Sequence, residues 1–343
     1  MEKKKFAFID LGPRFHPDTY FLCRYLRELC DLEVTDVEHA DYVVFSDNGS
    51  SHWQVPDRCI KIYYTTEDLA PDFNACDYAL TFEWMQYGDR HFRLPLYYWY
   101  PDICELMERK HLQPFSEVKA QKQQFCSITV SNGNRHPMFV NLFDTLSSLR
   151  QVDSGGRWRN NVGGPIASKL DFDRSHKFSI VCENTAHSGY TTEKLVEAFA
   201  AGCIPIYWGD PDVAKVFNPK AMINVSDFPT LAALSDYVRK VDADDALWQQ
   251  MIAEPALLDT RYGKEQQLAA LFDFLRNIIS QPLEQAQRRN RLMWGRLYLD
   301  DRCQQTRSWD FRLWKTYHRW AYKLKTKLKF HGFSGYRCSR GKS

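Results

Sequence analysis

None of the ten cysteines, at positions 23, 30, 59, 76, 104, 126, 182, 203, 303 and 338, falls in a CxxC pair, and most sit in apolar runs. That spacing argues against zinc ligands and disulfides and for reduced thiols packed as small apolar groups. Long apolar runs are also missing: residues 6–9 are cut short by Asp10, far below the length of a secretory or membrane-spanning segment. The expectation is a body held in the cytoplasm, where the sequons at Asn48 and Asn224 carry no meaning. The familiar nucleotide signatures are lacking too. The first apolar run leads into Leu11, Gly12 and Pro13 where a dinucleotide enzyme has GxGxxG, and the Walker-like ending at Gly341, Lys342 and Ser343 has Tyr336 in place of its first glycine. Acid is absent from one end, with no Asp or Glu after Phe311.

What is present describes a globular chain of two domains: 343 residues, 44% apolar and 15% aromatic, which excludes global disorder. Charge is concentrated. Residues 284–343 hold 16 Lys and Arg against 4 Asp and Glu, while the chain as a whole is at +2. Within that tail Trp314, Tyr317, Ala321, Leu324 and Leu328 repeat at helical spacing, flanked by Lys315, Arg319, Lys323, Lys325, Lys327 and Lys329. A basic helix with an aromatic stripe suits an anionic membrane surface, lying on it and not through it, which predicts a peripheral position on the inner face of the cell membrane. A solvated tail folded onto the acidic body is the alternative, with RNA binding behind it.

Along the body, short apolar runs alternate with amphipathic stretches. Strands are predicted at 5–10, 41–45, 60–64, 78–82 and 92–97, with a helix at 18–30. A Lys- and Gln-rich connection at 112–124 precedes a restart: strand 125–130, helix 138–149, strand 178–182, helix from 193, strand 203–208, a short strand 222–225 and helix 231–241. The pattern predicts an α/β protein of two Rossmann-like units facing across a cleft: 1–118, 119–283 and the basic tail 284–343.

The chemistry is densest at residues 178–209. An apolar strand closed by Glu183 and Asn184, a loop with Gly189, Thr191 or Thr192 as N-cap, and Gly202 just past a helix spell strand, crossover helix and parallel strand. The loop then lies at the carboxyl end of a sheet, where open α/β folds bind ligands. Lys194 falls in the first helical turn, where the macrodipole disfavours a cation by ~0.3–1 kcal/mol unless an anion joins it. Free N–H groups, the dipole and Lys194 make a diphosphate cradle, with Glu193 able to pair with Lys194 or to accept sugar hydroxyls, and Asn184 and Tyr190 beside them. An ordinary helix start with one surface lysine is the alternative. In the first unit Glu67 and Asp68 follow a buried strand and would project toward the cleft, where a carboxylate could take a proton from an acceptor hydroxyl; taken alone, Glu67 reads first as a turn or helix-capping acid. Asp171/Asp173, Asp210/Asp212 and Asp242/Asp244 match DxD, weakly in so acidic a body, and are expected to be mostly surface carboxylates.

These residues carry a family resemblance. Residues 182–228, with ENT-x-x-x-x-GY-x-TEK, IPIYWG and FNP, resemble the donor-site motif of the α1,3-fucosyltransferases, glycosyltransferase family 10, most closely the bacterial members. YYTTEDLAPDFN with RLPLYY, and SNGN with VDSGGRWRNN, agree over about residues 60–228. The resemblance implies a GT-B fold and inverting transfer of fucose from GDP-β-L-fucose to O3 of GlcNAc or glucose in a glycan acceptor, as in surface-polysaccharide assembly. It also implies no tightly bound cofactor and no metal requirement. It places Glu67 as general base and Asn184, Tyr190, Glu193 and Lys194 as donor contacts. The family's arginine after the SN motif aligns with Phe139, a departure for which Arg135, Arg157 and Arg159 are the candidate replacements.

Overall fold

The computed structural model describes the chain except residues 14, 134, 135, 309–312, 315, 319 and 322–343. Most of the predicted tail helix, and Arg135, therefore lie outside the described residues.

Two all-parallel sheets form the body. The first joins β1 (Lys3–Ile9), β2 (Asp31–Val34), β3 (Tyr42–Phe45), β4 (Ile60–Tyr64), β5 (Tyr78–Thr81) and β6 (His91–Arg93) in the order β2-β1-β3-β4-β5-β6. The second joins β7 (Gln124–Ile128), β8 (Val152–Ser154), β9 (His176–Cys182), β10 (Ile204–Trp208) and β11 (Ile223–Asn224) in the order β11-β10-β9-β7-β8. Strands β3, β4, β5, β9 and β10 are buried at every position, which is why they read as unbroken apolar runs and not as alternating ones. The expected strand at 92–97 stops at Arg93. Pro95 has no N–H to give the ladder, and Leu96–Trp99 turn into a short 3-10 segment.

Helices follow the strands: α1 (Phe21–Leu29), then α2 (Pro101–Arg109) and α3 (Phe115–Gln121) in the connection between units. The second unit carries α4 (Pro137–Ser147), α5 (Lys169–Arg174), α6 (Glu193–Ala200), α7 (Leu231–Ala243) and α8 (Asp245–Ala253). The chain ends its described course with α9 (Lys264–Ser280), α10 (Leu283–Ala286) and α11 (Met293–Arg307). Helix α2 packs on α6, so one apolar cluster runs from Phe6, Tyr42 and Tyr78 through Cys104 and Met107 to Leu195, Phe199 and Phe217.

Residues 264–283, grouped by the sequence with the second unit, pack on the first. Phe274 of α9 meets Tyr78 and Phe92 at 6.1 and 5.5 Å, and Leu271, Leu275 and Ile278 enter the same cluster. The segment after α10 then clasps the first sheet. The Arg288 and Arg289 N–H groups donate to Asp77 Oδ1 at 2.8 and 2.9 Å, and the fully buried Arg289 guanidinium donates to the Asp57 and Cys59 carbonyls, both at 3.0 Å. Buried carbonyls at the start of β4 are thereby satisfied.

Candidate active site

The β9–α6–β10 unit is the parallel crossover that the sequence predicts, in register from Phe178 opposite Ile204 to Cys182 opposite Trp208. Thr192 is the N-cap and Lys194 lies in the first turn of α6. The anchor of this turn is Glu183, fully buried just past β9. Its carboxylate accepts from the Thr192 N–H at 2.8 Å, the Thr192 hydroxyl at 2.7 Å and the Lys194 ammonium at 3.2 Å. A Cβ on Gly209 would stand 2.5 Å from Glu183 Cγ, so only glycine lets β10 pass this close.

Lys194 also donates to Thr192 Oγ1 at 2.9 Å and lies 3.8 Å from Glu193. Burial works against its charge, but the Glu183 and Glu193 carboxylates outweigh that and hold the ammonium charged, well above the usual lysine range. It lines a cavity of about 280 Å³ with Thr129, Ser131, Asn132, Asn184, Phe139 and Lys169. Thr129 Oγ1 in this wall and Glu193 Oε2 beside Lys194 are buried oxygens with no hydrogen-bond partner among the described residues. Such groups cost stability unless a ligand or water completes them, and sugar or ribose hydroxyls would.

Glu67 lies in the first unit beyond β4, its N–H bound to Thr65 Oγ1 at 3.0 Å. It lines a second cavity of about 410 Å³ with Asn48, Tyr20, Tyr64, Trp99 and Tyr100. One shared cleft is expected from the sequence; the structure has two hollows with no lining residue in common, and Tyr190 lies buried on the loop that leads into α6. That phenol is buried against Phe82 at 4.8 Å, and it is raised well above its ordinary value by burial first and then by Glu183 and Glu67, with Lys194 opposing.

The contacts around Tyr190 lock the units together. Asp68 accepts from Thr185 and pairs with His187 Nδ1, each at 2.5 Å, and Arg93 donates to the Gly189 carbonyl at 3.0 Å. Gly189 has φ +89°, and a Cβ there would meet the Phe82 carbonyl oxygen at 2.4 Å.

Asn184, Tyr190, Glu193 and Lys194 are thus brought together, and Glu67 stands next to Asp68, which bonds Thr185 and His187 of the same loop. Arg159 is not: it pairs with Asp144 on the surface and stacks over Trp158 and Phe143, while Arg157 is exposed. Phe139 is buried in the wall of the Lys194 cavity. The DxD pairs hold structure, and two of their members are buried instead of lying on the surface. Asp173 is enclosed by Ser127, Ser179 and Lys169, and Asp210 binds the Gly189 N–H at 2.9 Å and the Thr191 hydroxyl at 3.0 Å. Asp244 caps α8, and Asp242 pairs with Arg150 and Lys177. Sequence reasoning took Glu183 for a strand terminus and passed over Lys169; an acid directly after a fully apolar strand was the available signal for the first.

With this geometry in place, comparison with known proteins is informative. The model of the α-(1,3)-fucosyltransferase FucT N-terminal domain matches residues 6–100, and that of the glycosyltransferase family 10 (fucosyltransferase) C-terminal region matches residues 119–253. An α-(1,3)-fucosyltransferase of Helicobacter pylori is 31% identical over 240 residues, 60% of this chain and 48% of that protein, so the chain spans about half the relative's length. Crystal structures of an α1,3-fucosyltransferase alone and with GDP-fucose superpose with TM-scores of 0.69 and 0.65 at 26% and 25% identity, covering 80% of this chain and 91% of theirs. The two matched regions coincide with the two parallel sheets and with both halves of the Glu67–Lys194 site, and the chain belongs to glycosyltransferase family 10.

Proposed function

We propose that this protein transfers L-fucose from GDP-β-L-fucose to a hydroxyl of a glycan, with inversion at C1. The observation that carries the reading is the Lys194 turn of α6, pinned by Glu183 in the wall of an open cavity, with the Glu67–Asp68 corner of the first unit tied to the same loop through Thr185 and His187. The GDP diphosphate would sit on the α6 N–H groups and Lys194, and Asn184, Glu193 and Thr129 would bind donor hydroxyls. The acceptor would enter the Glu67 hollow, whose Trp99, Tyr20 and Tyr64 rings offer apolar faces to a pyranose while Asn48 offers an amide.

Glu67 takes the proton of the acceptor hydroxyl as that oxygen bonds to C1 from the face opposite the phosphate. The C1–O bond to phosphate breaks, its electron pair leaves on GDP, and Lys194 stabilises the developing charge. GlcNAc- or glucose-containing acceptors, with attack from O3, are the proposed substrates. Incubation with GDP-fucose and a panel of disaccharides, followed by linkage analysis, tests the reading; transfer from another nucleotide sugar and not from GDP-fucose would overturn it.

The reading extends to location. Leu292, Met293, Trp294 and Leu297 are all more than half exposed on and beside α11, as are Trp314, Tyr317 and Trp320 within the acid-free, basic end. Such a surface fits an anionic bilayer at the cytoplasmic face. Flotation with anionic vesicles but not neutral ones is the expected result, and equal recovery from both would refute it.

A further inference from the structure

The Lys194 cavity holds a second ammonium that the motif does not mark. Lys169, in the first turn of α5, lines the same hollow, its side chain only 12% exposed. It ion-pairs with Asp173 one turn on, and Asp173 is itself held by the Ser127 hydroxyl at 2.6 Å and the Ser179 hydroxyl at 3.0 Å. Asp173 therefore has two neutral donors besides the lysine, and among the described residues Lys169 donates to Asp173 alone, with the Glu197 carboxylate as a further nearby charge. Lys194 has already given two of its own, to Glu183 and Thr192. One remaining N–H, beside two carboxylates, is a thin provision for a diphosphate. The wall offers nothing from α4, since Phe139 stands there.

Resting on the nucleotide reading above, we propose that Lys169 is a second diphosphate contact, positioned by the Asp173–Ser127–Ser179 network and doing the work of the arginine that Phe139 displaces. The Asp173 carboxylate holds the lysine in the wall of the hollow that Lys194 also lines, so that a diphosphate there would meet both ammonium groups.

Calorimetry with GDP, GMP and guanosine on the full chain tests this. Lys169→Met is expected to weaken GDP at least about tenfold, the scale of one charged hydrogen bond, and GMP less, with guanosine unchanged. Lys169→Arg should recover most of the GDP affinity. Because Lys169→Met leaves a buried carboxylate without its cation, the double variant Lys169→Met/Asp173→Asn is measured alongside; its amide oxygen accepts from one serine hydroxyl and its NH2 donates to the other. Equal losses for GDP and guanosine, or no loss in the folded double variant, would assign Lys169 a structural role only and overturn the proposal. A wild-type protein that binds guanosine and GDP equally would bring down the nucleotide reading along with it.

Discussion

At the scale of single residues, the site depends on acids that differ in exposure and so in duty. Glu183 is sealed under α6 and spends both oxygens on Thr192 and Lys194, which suits it to orient a cation and not to exchange protons with substrate. Glu67 is exposed at the mouth of the neighbouring hollow, where a hydroxyl can reach it. Replacing Glu67 by Gln preserves shape and removes basicity. We predict a loss of transfer of about 10²–10⁴-fold with GDP affinity unchanged in calorimetry, and undiminished turnover would exclude Glu67 as base.

At the scale of elements, the loop between β9 and α6 joins the units through a backbone approach that one residue permits. Gly189→Ala would place a methyl on the Phe82 carbonyl and force φ +89° on a residue that resists it. A destabilisation of at least ~1 kcal/mol is expected from the backbone alone, with lost activity as Tyr190 shifts. Gly163→Ala is the control, since φ is +87° there but nothing lies within 4 Å. Equal melting shifts for the two would show that close packing at Gly189 contributes nothing.

Elements also show what could be read in advance. The buried parallel strands and α6 were legible because full burial leaves continuous apolar runs and because Thr192 and Gly202 mark the helix ends. The strand β2 was not, since DLEV lies at a sheet edge and only half-buries its residues. Helices α9 to α11 were missed for other reasons: the buried leucines and isoleucines of α9 face the first sheet, a partner some 200 residues earlier that no local periodicity reveals, and α11 leaves its large apolar residues exposed. The donor contacts were legible as a motif, whereas Lys169 gains its meaning only when β7, β9 and α5 converge on Asp173.

At the scale of the whole molecule, burial of so many thiols and phenols sets a pH limit. Burial raises Cys23 to about 12 and Cys203 to about 11, and drives Cys76, Cys126, Tyr20, Tyr64 and Tyr207 well above their ordinary values. The ordinary values are 9.0 for the thiol and 10.0 for the phenol, so above about pH 9 the unfolded chain loses protons that the fold retains and stability falls as pH rises. Lys61 and Lys110 act in the other direction: burial pushes both down to about 8, which favours the fold increasingly between there and 10.5. Two lysines are outnumbered by the thiols and phenols. Melting temperature is therefore predicted to drop steeply beyond pH 9, and a flat profile to pH 11 would contradict that burial pattern.

The clasp of Arg289 on Asp77 sets an order of events during synthesis. The amino-terminal sheet leaves the ribosome first but lacks its closing piece until residue 289 has emerged, by which time the later-born sheet at 124–224 has all its strands. Nascent chains stalled near residue 290, with α9 and Arg289 still inside the exit tunnel and α8 already outside it, should accordingly protect 124–253 from protease while 1–100 is still digested. Early protection of the amino-terminal half would mean that it matures without help from its own far end.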